Sequence, residues 1–252
     1  MDAPERIRVF DSQGDAYRRA FQIFLQHTDQ KRNAKRRLQR VVDGLAHHRV
    51  LLDAGAGNGE VTRSLAPAFA RTIAVEPNVY LLEELRRAVP GAEVIPQRIL
   101  EATPPHRGDL VLCSHTLYYV PPEEWLAHLE RLVSWMAPSG VVVVVLQNRG
   151  SGCMDMVHHF YGQRFELQRA ADAFRARHGD RYEVVTDVDP AHVDTPELET
   201  TYLVAEFMLN LFEVAVPPTR GEVEAYLQAH FARPGGGYRI PVHQDFLQIR
   251  TR

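Results

Sequence analysis

The sequence is poor in cysteine, lacks long apolar runs and carries no strong excess of one charge. Two cysteines, Cys113 and Cys153, cannot build a disulfide framework or a four-cysteine zinc site, and such low usage predicts a reduced, cytoplasmic protein. No run approaches the roughly 20 apolar residues that span a bilayer, so we expect no membrane-spanning segment. A formal net charge of −3 differs from the basic balance of nucleic-acid-binding proteins. We therefore expect neither a membrane nor a nucleic acid as partner.

The chain has 252 residues, of which 45% are hydrophobic, and this is enough for one α/β domain with a sizeable core. No linker-like stretch divides it. We predict a single domain over residues 1–252. Within it we expect a helical N-terminal cap over 1–46, a cofactor-binding core over 47–150, and substrate-specificity elements with the last strands over 151–252.

Short apolar runs alternate with amphipathic stretches along the chain. The predicted strands cover 49–52, 71–75, 92–96, 109–113, 141–146, 182–186 and 238–249. The predicted helices cover 11–46, 59–69, 78–88, 121–136, 155–177, 195–212 and 220–231. Residues 138–140 (Pro-Ser-Gly) are expected to break the chain before the fifth strand. This alternation predicts βαβ units and an α/β fold with a doubly wound, mostly parallel sheet. Extra C-terminal helices add to it, for specificity or for packing.

A glycine-rich segment, LLDAGAGNGE, follows the first predicted strand and opens the next helix. Gly55, Gly57 and Gly59 permit tight turns and close approach of a ligand to the backbone. Such a ligand would lie at the carboxyl end of the first strand, where open α/β sheets bind. The carboxylates of Asp53 and Glu60 disfavour a pyrophosphate and favour a ligand with a cationic group.

Glu76 ends the second predicted strand, about 20 residues beyond the glycines. A carboxylate there can accept hydrogen bonds from both hydroxyls of an adenosine ribose. The competing interpretation is that Glu76 caps a helix that starts at Asn78. The loop together with the acid on the next strand favours the ribose.

These motifs resemble those of the class I S-adenosylmethionine-dependent methyltransferases. The resemblance implies S-adenosylmethionine as cofactor, S-adenosylhomocysteine as product, and a Rossmann-like seven-stranded sheet. Its last strand would run antiparallel between strands five and six. In that family the glycine-rich loop wraps the methionine part of the cofactor and the acid holds the ribose. The cofactor-binding positions implied here are Asp53, Gly55, Ala56, Gly57, Gly59, Glu76, Pro77, Ser114 and His115.

Further segments resemble the histamine N-methyltransferases. They are DLVLCSHTLYYV over 109–120, Ser151-Gly152, YGQRF over 161–165, and VFD over 9–11 with Tyr17, Phe21 and His27. In that family an acid after the first helix, a glutamine after strand four and an asparagine on the last strand hold the amine. Asp29 or Gln30, His115 and His243 stand in the matching stretches, and no tryptophan occurs at 153–158. The substrate-binding residues that we predict are Tyr17, Phe21, Asp29, Gln30, His115, Tyr119, His158 and His243.

Methyl transfer from a sulfonium requires an aligned nucleophile with a free lone pair. His115 is predicted at the carboxyl edge of the sheet, where it could orient the acceptor or remove its proton. The alternative is a histidine bonded to nearby backbone. Tyr118 and Tyr119 could stack on a planar acceptor or face a cation, and one of the two is expected in the core. His115, Tyr118 and Tyr119 are the candidate catalytic residues.

No metal site is expected, because the adjacent His158 and His159 point in different directions on a helix and no ligand follows one turn later. The sequence thus predicts a methyltransferase acting on a nitrogen of a small molecule: an imidazole, an amine or an amino-acid derivative. An O-methyltransferase of secondary metabolism with His115 as base stays open, as does a non-catalytic cofactor-binding or partner-binding module. A dinucleotide oxidoreductase is the most distant alternative. The protein is expected to be a monomer or homodimer.

Overall fold

The computed structural model describes residues 5–11, 14–212 and 216–252. The helices are α1 (Asp15–His27), α2 (Gln30–Asp43), α3 (Glu60–Leu65), α4 (Leu82–Ala88), α5 (Trp125–Ser134), α6 (Gly152–Tyr161), α7 (Leu167–His178), α8 (Leu198–Leu209) and α9 (Arg220–Phe231). The strands are β1 (Val50–Ala54), β2 (Arg71–Val75), β3 (Glu93–Ile95), β4 (Gly108–Ser114), β5 (Met136–Gln147), β6 (Tyr182–Asp189), β7 (His192–Thr195), β8 (Tyr238–Pro241) and β9 (Gln244–Thr251).

Seven strands form one sheet in the order β3-β2-β1-β4-β5-β9-β6. The pairs β1–β2, β1–β4, β2–β3 and β4–β5 are all parallel. The last strand lies between the fifth and sixth strands of the sheet, as the family resemblance implied. The prediction of a seven-stranded, mostly parallel, doubly wound α/β sheet is therefore confirmed.

The central strands are apolar because both faces of a parallel sheet are covered. All five residues of β1 are buried, and in β5 the run Val141–Leu146 has no exposed surface. On one face, α2 contributes Leu38 and Val42 to a cluster that also holds Leu112 of β4. Burial of these apolar side chains stabilises the central strands and thereby fixes the position of their carboxyl ends.

The described chain forms two compact units. The helical unit comprises residues up to Asn33, Gln147–Phe165 and Pro190–Gln244, and includes α1, α6, α8 and α9 with the hairpin-like pair β7–β8. The sheet unit comprises Ala34–Leu146, Glu166–Asp189 and Asp245–Arg252. The prediction of a single domain over the whole chain stays a prediction. Across the described residues, no helix has the length and apolar character needed to cross a membrane.

Two helices predicted as continuous are each divided. The predicted helix over 11–46 breaks at Thr28, whose backbone is extended and bridges to Val193, while its hydroxyl accepts a hydrogen bond from the Gln30 amide at 3.1 Å. Residues 12–13, near the predicted start, lie outside the described residues. The predicted helix over 155–177 ends first at Gly162, which has a left-handed φ of 68°. Both interruptions are set by single residues whose backbone leaves the helical region.

The C-terminal strand prediction was wrong in its count. The single strand predicted over 238–249 is two strands, and the first of them, β8, pairs antiparallel with β7 in a separate two-stranded sheet. Strand β7 was not predicted, because its four residues alternate polar and apolar over too short a span. The break predicted at 138–140 lies inside β5, where Pro138 and Ser139 are exposed and the pairing with β4 shifts register. An irregular pairing of this kind accommodates a proline within a strand.

Truncating the fully buried Leu112 to alanine tests the sheet core. We expect Leu112→Ala to lower the free energy of unfolding by about 2–5 kcal/mol, because β4 lies at the centre of the sheet and cannot collapse onto the cavity. The control Leu100→Ala removes the same atoms from a side chain that is 40% exposed, and should cost only about 0.5 kcal/mol. Urea unfolding measures both, and equal losses would contradict this core assignment.

Candidate functional site

The candidate site lies where β1, β2 and β4 end at the same edge of the sheet. Strand β1 is flanked by β2 on one side and by β4 on the other, with Ala54 opposite Val75 and Asp53 opposite Leu112. The chain order reverses at β1, and open α/β sheets bind ligands at the carboxyl ends of the strands beside such a reversal. All the residues that form this edge belong to the sheet unit.

The three glycines of the loop after β1 have positive φ angles of 79°, 57° and 81°, but they serve different purposes. A Cβ on Gly55 would lie 2.2 Å from the Thr116 hydroxyl, and one on Gly59 would lie 2.8 Å from Leu85. Both positions therefore need glycine for packing. A Cβ on Gly57 would meet no atom within 4 Å. Gly57 thus leaves backbone open to a ligand at a position where side chains are strained.

Glu76 follows β2 and is bound to the glycine loop. Its Oε2 accepts a hydrogen bond from the Gly57 amide at 2.8 Å, and its Oε1 accepts one from the Asn78 amide at 2.8 Å. The carboxylate is buried, and the second contact does not cap a helix, because α4 begins only at Leu82. Since each carboxylate oxygen has two acceptor sites, Glu76 has capacity for further donors.

Asp53 is placed as an internal anchor. Its carboxylate is buried and accepts a 2.6 Å hydrogen bond from the Thr62 hydroxyl, which ties α3 to β1. Burial raises the pKa of Asp53 to about 6, against the opposing effect of the Thr62 bond, and the charge of Glu76 raises this pKa further. The Glu60 carboxylate pairs with the Lys35 ammonium at 3.4 Å. From the sequence we expected the carboxylates of Asp53 and Glu60 to lie beside a ligand. In the structure, Asp53 is bonded inside the protein and Glu60 pairs with Lys35.

His115 follows β4 in a strained conformation. Within the described residues it alone among the non-glycine residues has a positive φ, 55°. Its amide donates to the Val145 carbonyl at 2.9 Å, and its Nδ1 lies 2.8 Å from the Tyr118 hydroxyl oxygen. A non-glycine residue held in this region costs on the order of 1–3 kcal/mol, and such strain is concentrated at functional sites.

The loop after β4 also binds the glycine loop. The Thr116 hydroxyl lies 3.3 Å from the carbonyl oxygens of Ala54, Gly55 and Ser114. Tyr118 is half-buried and Tyr119 is 71% exposed, so the expectation that one of them packs in the core was wrong. In the short 3₁₀ turn Leu117–Tyr119, Leu117 is the buried residue.

Two further predicted cofactor residues lie at the same edge. The Ala56 amide donates to the Val75 carbonyl at 3.1 Å, which fixes the loop after β1 to the end of β2. Pro77 is exposed between Glu76 and Asn78. The structure therefore brings all the predicted cofactor positions to the ends of three neighbouring strands, although Asp53 lies beneath that surface.

The predicted substrate residues other than His115 and Tyr119 belong to the helical unit. Tyr17 and Phe21 lie on α1, and their rings are 5.4 Å and 5.5 Å from the ring of Phe207 on α8. Phe24 makes a similar contact at 5.4 Å. These aromatic rings pack α1 against α8, which is a structural use of residues that sequence reasoning assigned to a substrate.

Asp29 and Gln30 are both engaged within the helical unit. Asp29 Oδ1 accepts from the His192 amide at 2.8 Å, which attaches the start of β7. The buried Gln30 amide donates to Gln147 Oε1 and to the Val242 carbonyl, both at 3.0 Å. Gln147 in turn donates to the Ser151 hydroxyl at 2.8 Å. This amide network orders the segments around Gln30.

The two predicted histidines of the helical unit differ in exposure. His243 Nδ1 lies 3.1 Å from the Ala191 backbone, and its ring meets that of His192 edge-on at 5.4 Å. Asp29, His192 and His243 are therefore brought together. His158 is exposed on α6. No group of three or more potential metal ligands occurs in the part of the chain that the structure describes.

Sequence reasoning missed Thr62, Thr116, Gln147 and His192. Threonine and glutamine have no motif of their own at these positions, and their roles come from hydrogen bonds between segments far apart in sequence. The spacing from Asp53 to Thr62 was a usable signal, because a hydroxyl in the first helix after the loop can reach back to the strand.

Comparisons with known proteins identify a family through one domain match and a fold through solved structures. The model of a methyltransferase domain matches residues 25–186. A candidate methyltransferase from Bacillus halodurans C-125 has a similar structure, with a TM-score of 0.60, 12% identity, and coverage of 86% of this chain and 97% of that one. The YcgJ protein of Bacillus subtilis has a TM-score of 0.58 at 13% identity, covering 88% and 99%.

A third similar structure is N-methyltransferase NodS from Bradyrhizobium japonicum WM9, in complex with S-adenosyl-L-homocysteine. Its TM-score is 0.56 at 12% identity, covering 94% of this chain and 99% of that one. No curated protein sequence matches significantly. The likeness to the solved structures shows the fold, and the domain match shows the family.

The buried Asp53 predicts a pH-dependent stability. Its pKa is raised from 3.8 to about 6 in the folded chain, so the folded state binds this proton more tightly than the unfolded state. The contribution of Asp53 to the free energy of unfolding should therefore fall by about 3 kcal/mol as the pH rises from about 4 to about 6. Asp53→Asn should lack this fall, as followed by urea unfolding at each pH.

The control for this measurement is Asp172→Asn, which changes an exposed carboxyl on α7. It should follow the wild-type pH profile. Parallel profiles for wild type and Asp53→Asn would contradict the buried, raised-pKa assignment of Asp53.

Proposed function

The chain belongs to the methyltransferase domain family, and on that basis we propose that it transfers a methyl group from S-adenosylmethionine to a nitrogen of a small molecule. The observation that carries the proposal is the pairing of Gly57 with Glu76. Gly57 has a left-handed backbone with open space beside it. Glu76 places a buried carboxylate oxygen 2.8 Å from the Gly57 amide nitrogen.

The residues at this edge suit S-adenosylmethionine. Glu76 would hold the ribose hydroxyls through the acceptor sites that its two backbone bonds leave. Gly57 would lie against the methionine part, where a larger residue would take up the open space. The bound cofactor supplies an electrophilic methyl group on a sulfonium. The complex of NodS with S-adenosyl-L-homocysteine supports this cofactor in a chain of similar fold.

His115 and Tyr118 would act on the acceptor. The strained backbone of His115 holds its imidazole at the carboxyl edge, and the Tyr118 hydroxyl 2.8 Å from Nδ1 orients the ring. An imidazole is the side chain whose ordinary pKa suits proton removal near neutral pH. An alkylammonium acceptor must lose a proton before it can attack, whereas a neutral imidazole acceptor already has its lone pair. His115 would thus remove the proton from an amine or position an imidazole.

A small nitrogen compound is the proposed acceptor because of the resemblance to the histamine N-methyltransferases. NodS, an N-methyltransferase of similar fold, supports a nitrogen as the methylated atom. The sequence departs from the pattern of the histamine enzymes, since His115 stands where that pattern has a glutamine. We therefore propose an imidazole, an amine or an amino-acid derivative as the acceptor, without restricting it to histamine. We also propose that the enzyme is a monomer or homodimer, that it is cytoplasmic, and that it has no nucleic-acid partner.

The cofactor proposal is tested by calorimetric titration of Glu76→Gln with S-adenosylhomocysteine. Replacing the carboxylate by an amide weakens hydrogen bonds from the ribose, and charged hydrogen bonds of this kind contribute about 1.5–3 kcal/mol. We expect the dissociation constant to rise by about 10-fold to 100-fold relative to wild type. The control Glu83→Gln removes an exposed carboxylate on α4 and should bind as wild type.

Thermal unfolding of both variants verifies that each is folded. If folded Glu76→Gln binds S-adenosylhomocysteine as tightly as wild type, Glu76 does not hold the ribose. If wild type itself does not bind, the proposed cofactor is wrong.

The role of His115 is tested by comparing turnover with cofactor affinity. With an alkylamine acceptor, we expect His115→Gln to lower kcat by about 10²-fold or more, because a base in this role contributes about 10²–10⁴-fold. Its affinity for S-adenosylhomocysteine should fall far less than kcat. His47→Gln, at an exposed histidine before β1, is the matched control and should retain wild-type turnover. An unchanged kcat in His115→Gln would exclude proton removal by this residue.

A further inference from the structure

A separate cavity of about 710 Å³, open to solvent, lies wholly within the helical unit. The end of α9, the turn that follows it, β8 and the start of α6 form its walls. Ligand pockets in proteins span about 300–1,000 Å³, so this volume suits a small organic molecule. None of its lining residues belongs to the glycine loop or to the ends of β2 and β4.

Two arginines give the cavity a cationic wall. Arg233 and Arg239 both line it, and both contact Asp194. Asp194 Oδ1 accepts from Arg233 Nη1 at 3.3 Å and from Arg239 Nε at 2.7 Å, and Oδ2 accepts from Arg239 Nη2 at 2.9 Å. One carboxylate thus faces two guanidinium groups, each with five N–H donors. The three hydrogen bonds to Asp194 use three of their ten N–H donors, so both guanidinium groups have further N–H donors for a ligand.

Other polar residues line the cavity besides the two arginines. His192, His230 and His243 also line the cavity. Asp155 is the one acid in its lining, and an ion pair with Arg164 at 2.8 Å offsets its charge. The N-terminus of the ten-residue helix α6 adjoins the cavity at Gly152, with the positive end of its dipole there.

Apolar residues also line the cavity. The rings of Tyr226 and Phe231 line the cavity together with Pro241. A Cβ on Gly152 would lie 2.8 Å from Pro241 and 2.9 Å from Phe231, so this wall is closely packed and depends on glycine there. A ligand that fits both sides carries a negative charge on an apolar or aromatic body.

We propose that this cavity binds a small organic oxyanion, a carboxylate or phosphate attached to an apolar group, with Arg233 and Arg239 as its charge partners. Arginine matches such groups because its planar fork donates parallel hydrogen bonds to two oxygens. The proposal uses no residue of the proposed cofactor site, although His243, which lines the cavity, is also one of the predicted substrate-binding residues.

Calorimetric titration with benzoate, phenyl phosphate and benzamide tests this assignment. Benzamide has the shape of benzoate without its charge. Wild type is expected to bind at least one of the two anions and to bind benzamide at least tenfold more weakly, since charged hydrogen bonds exceed neutral ones by about that factor. A preference between the two anions identifies carboxylate or phosphate as the natural group.

Variants locate the binding. Arg239→Gln and Arg233→Gln should each weaken the preferred anion by about tenfold or more, whereas Arg18→Gln, which changes an exposed arginine on α1 outside the cavity, should bind as wild type. All three should retain wild-type affinity for S-adenosylhomocysteine, which shows that they are folded and separates this result from that of the cofactor site. The proposal is overturned if neither anion binds wild type, if benzamide binds equally well, or if both cavity variants keep full affinity.

Discussion

The hydrogen bond from the Gly57 amide to the Glu76 carboxylate joins the loop after β1 to the end of β2, and the proposed cofactor site depends on it. The loop can reach Glu76 only because Gly55, Gly57 and Gly59 all adopt left-handed backbone. The parallel pairing of β1 with β2 brings the carboxyl ends of these two strands to the same edge of the sheet. The contact between Gly57 and Glu76 therefore requires both the conformational freedom of the glycine loop and the pairing of two strands distant in sequence.

Beneath that contact, buried polar groups fix the surrounding segments. Asp53 and Thr62 hold α3 to β1, and Thr116 holds the loop after β4 against the glycine loop. Burying a carboxylate with one hydroxyl partner is unfavourable when it is charged, and the raised pKa of Asp53 expresses that cost. The site thus includes a group that is destabilising at neutral pH, as expected where a binding edge is built for function rather than stability.

The sheet could be predicted from sequence because its central strands are buried on both faces. Apolar runs such as Val141–Leu146 leave little ambiguity, and the glycine loop and Glu76 carry their chemistry in residue type and spacing. Strand β7 and the break at Thr28 could not be predicted, since they depend on pairing partners distant in sequence. The same limit applies to the site. Asp29 or Gln30 was expected at the position of a substrate-binding acid, yet the Asp29 carboxylate accepts a hydrogen bond from the backbone of β7.

The most direct test of this account is a crystal structure of the protein with S-adenosylhomocysteine. We expect the ribose hydroxyls within hydrogen-bond distance of the Glu76 carboxylate, and the amino-acid part of the ligand against the backbone at Gly57. A ligand bound elsewhere, or one whose ribose lies away from Glu76, would contradict the central claim that this edge of the sheet is the cofactor site.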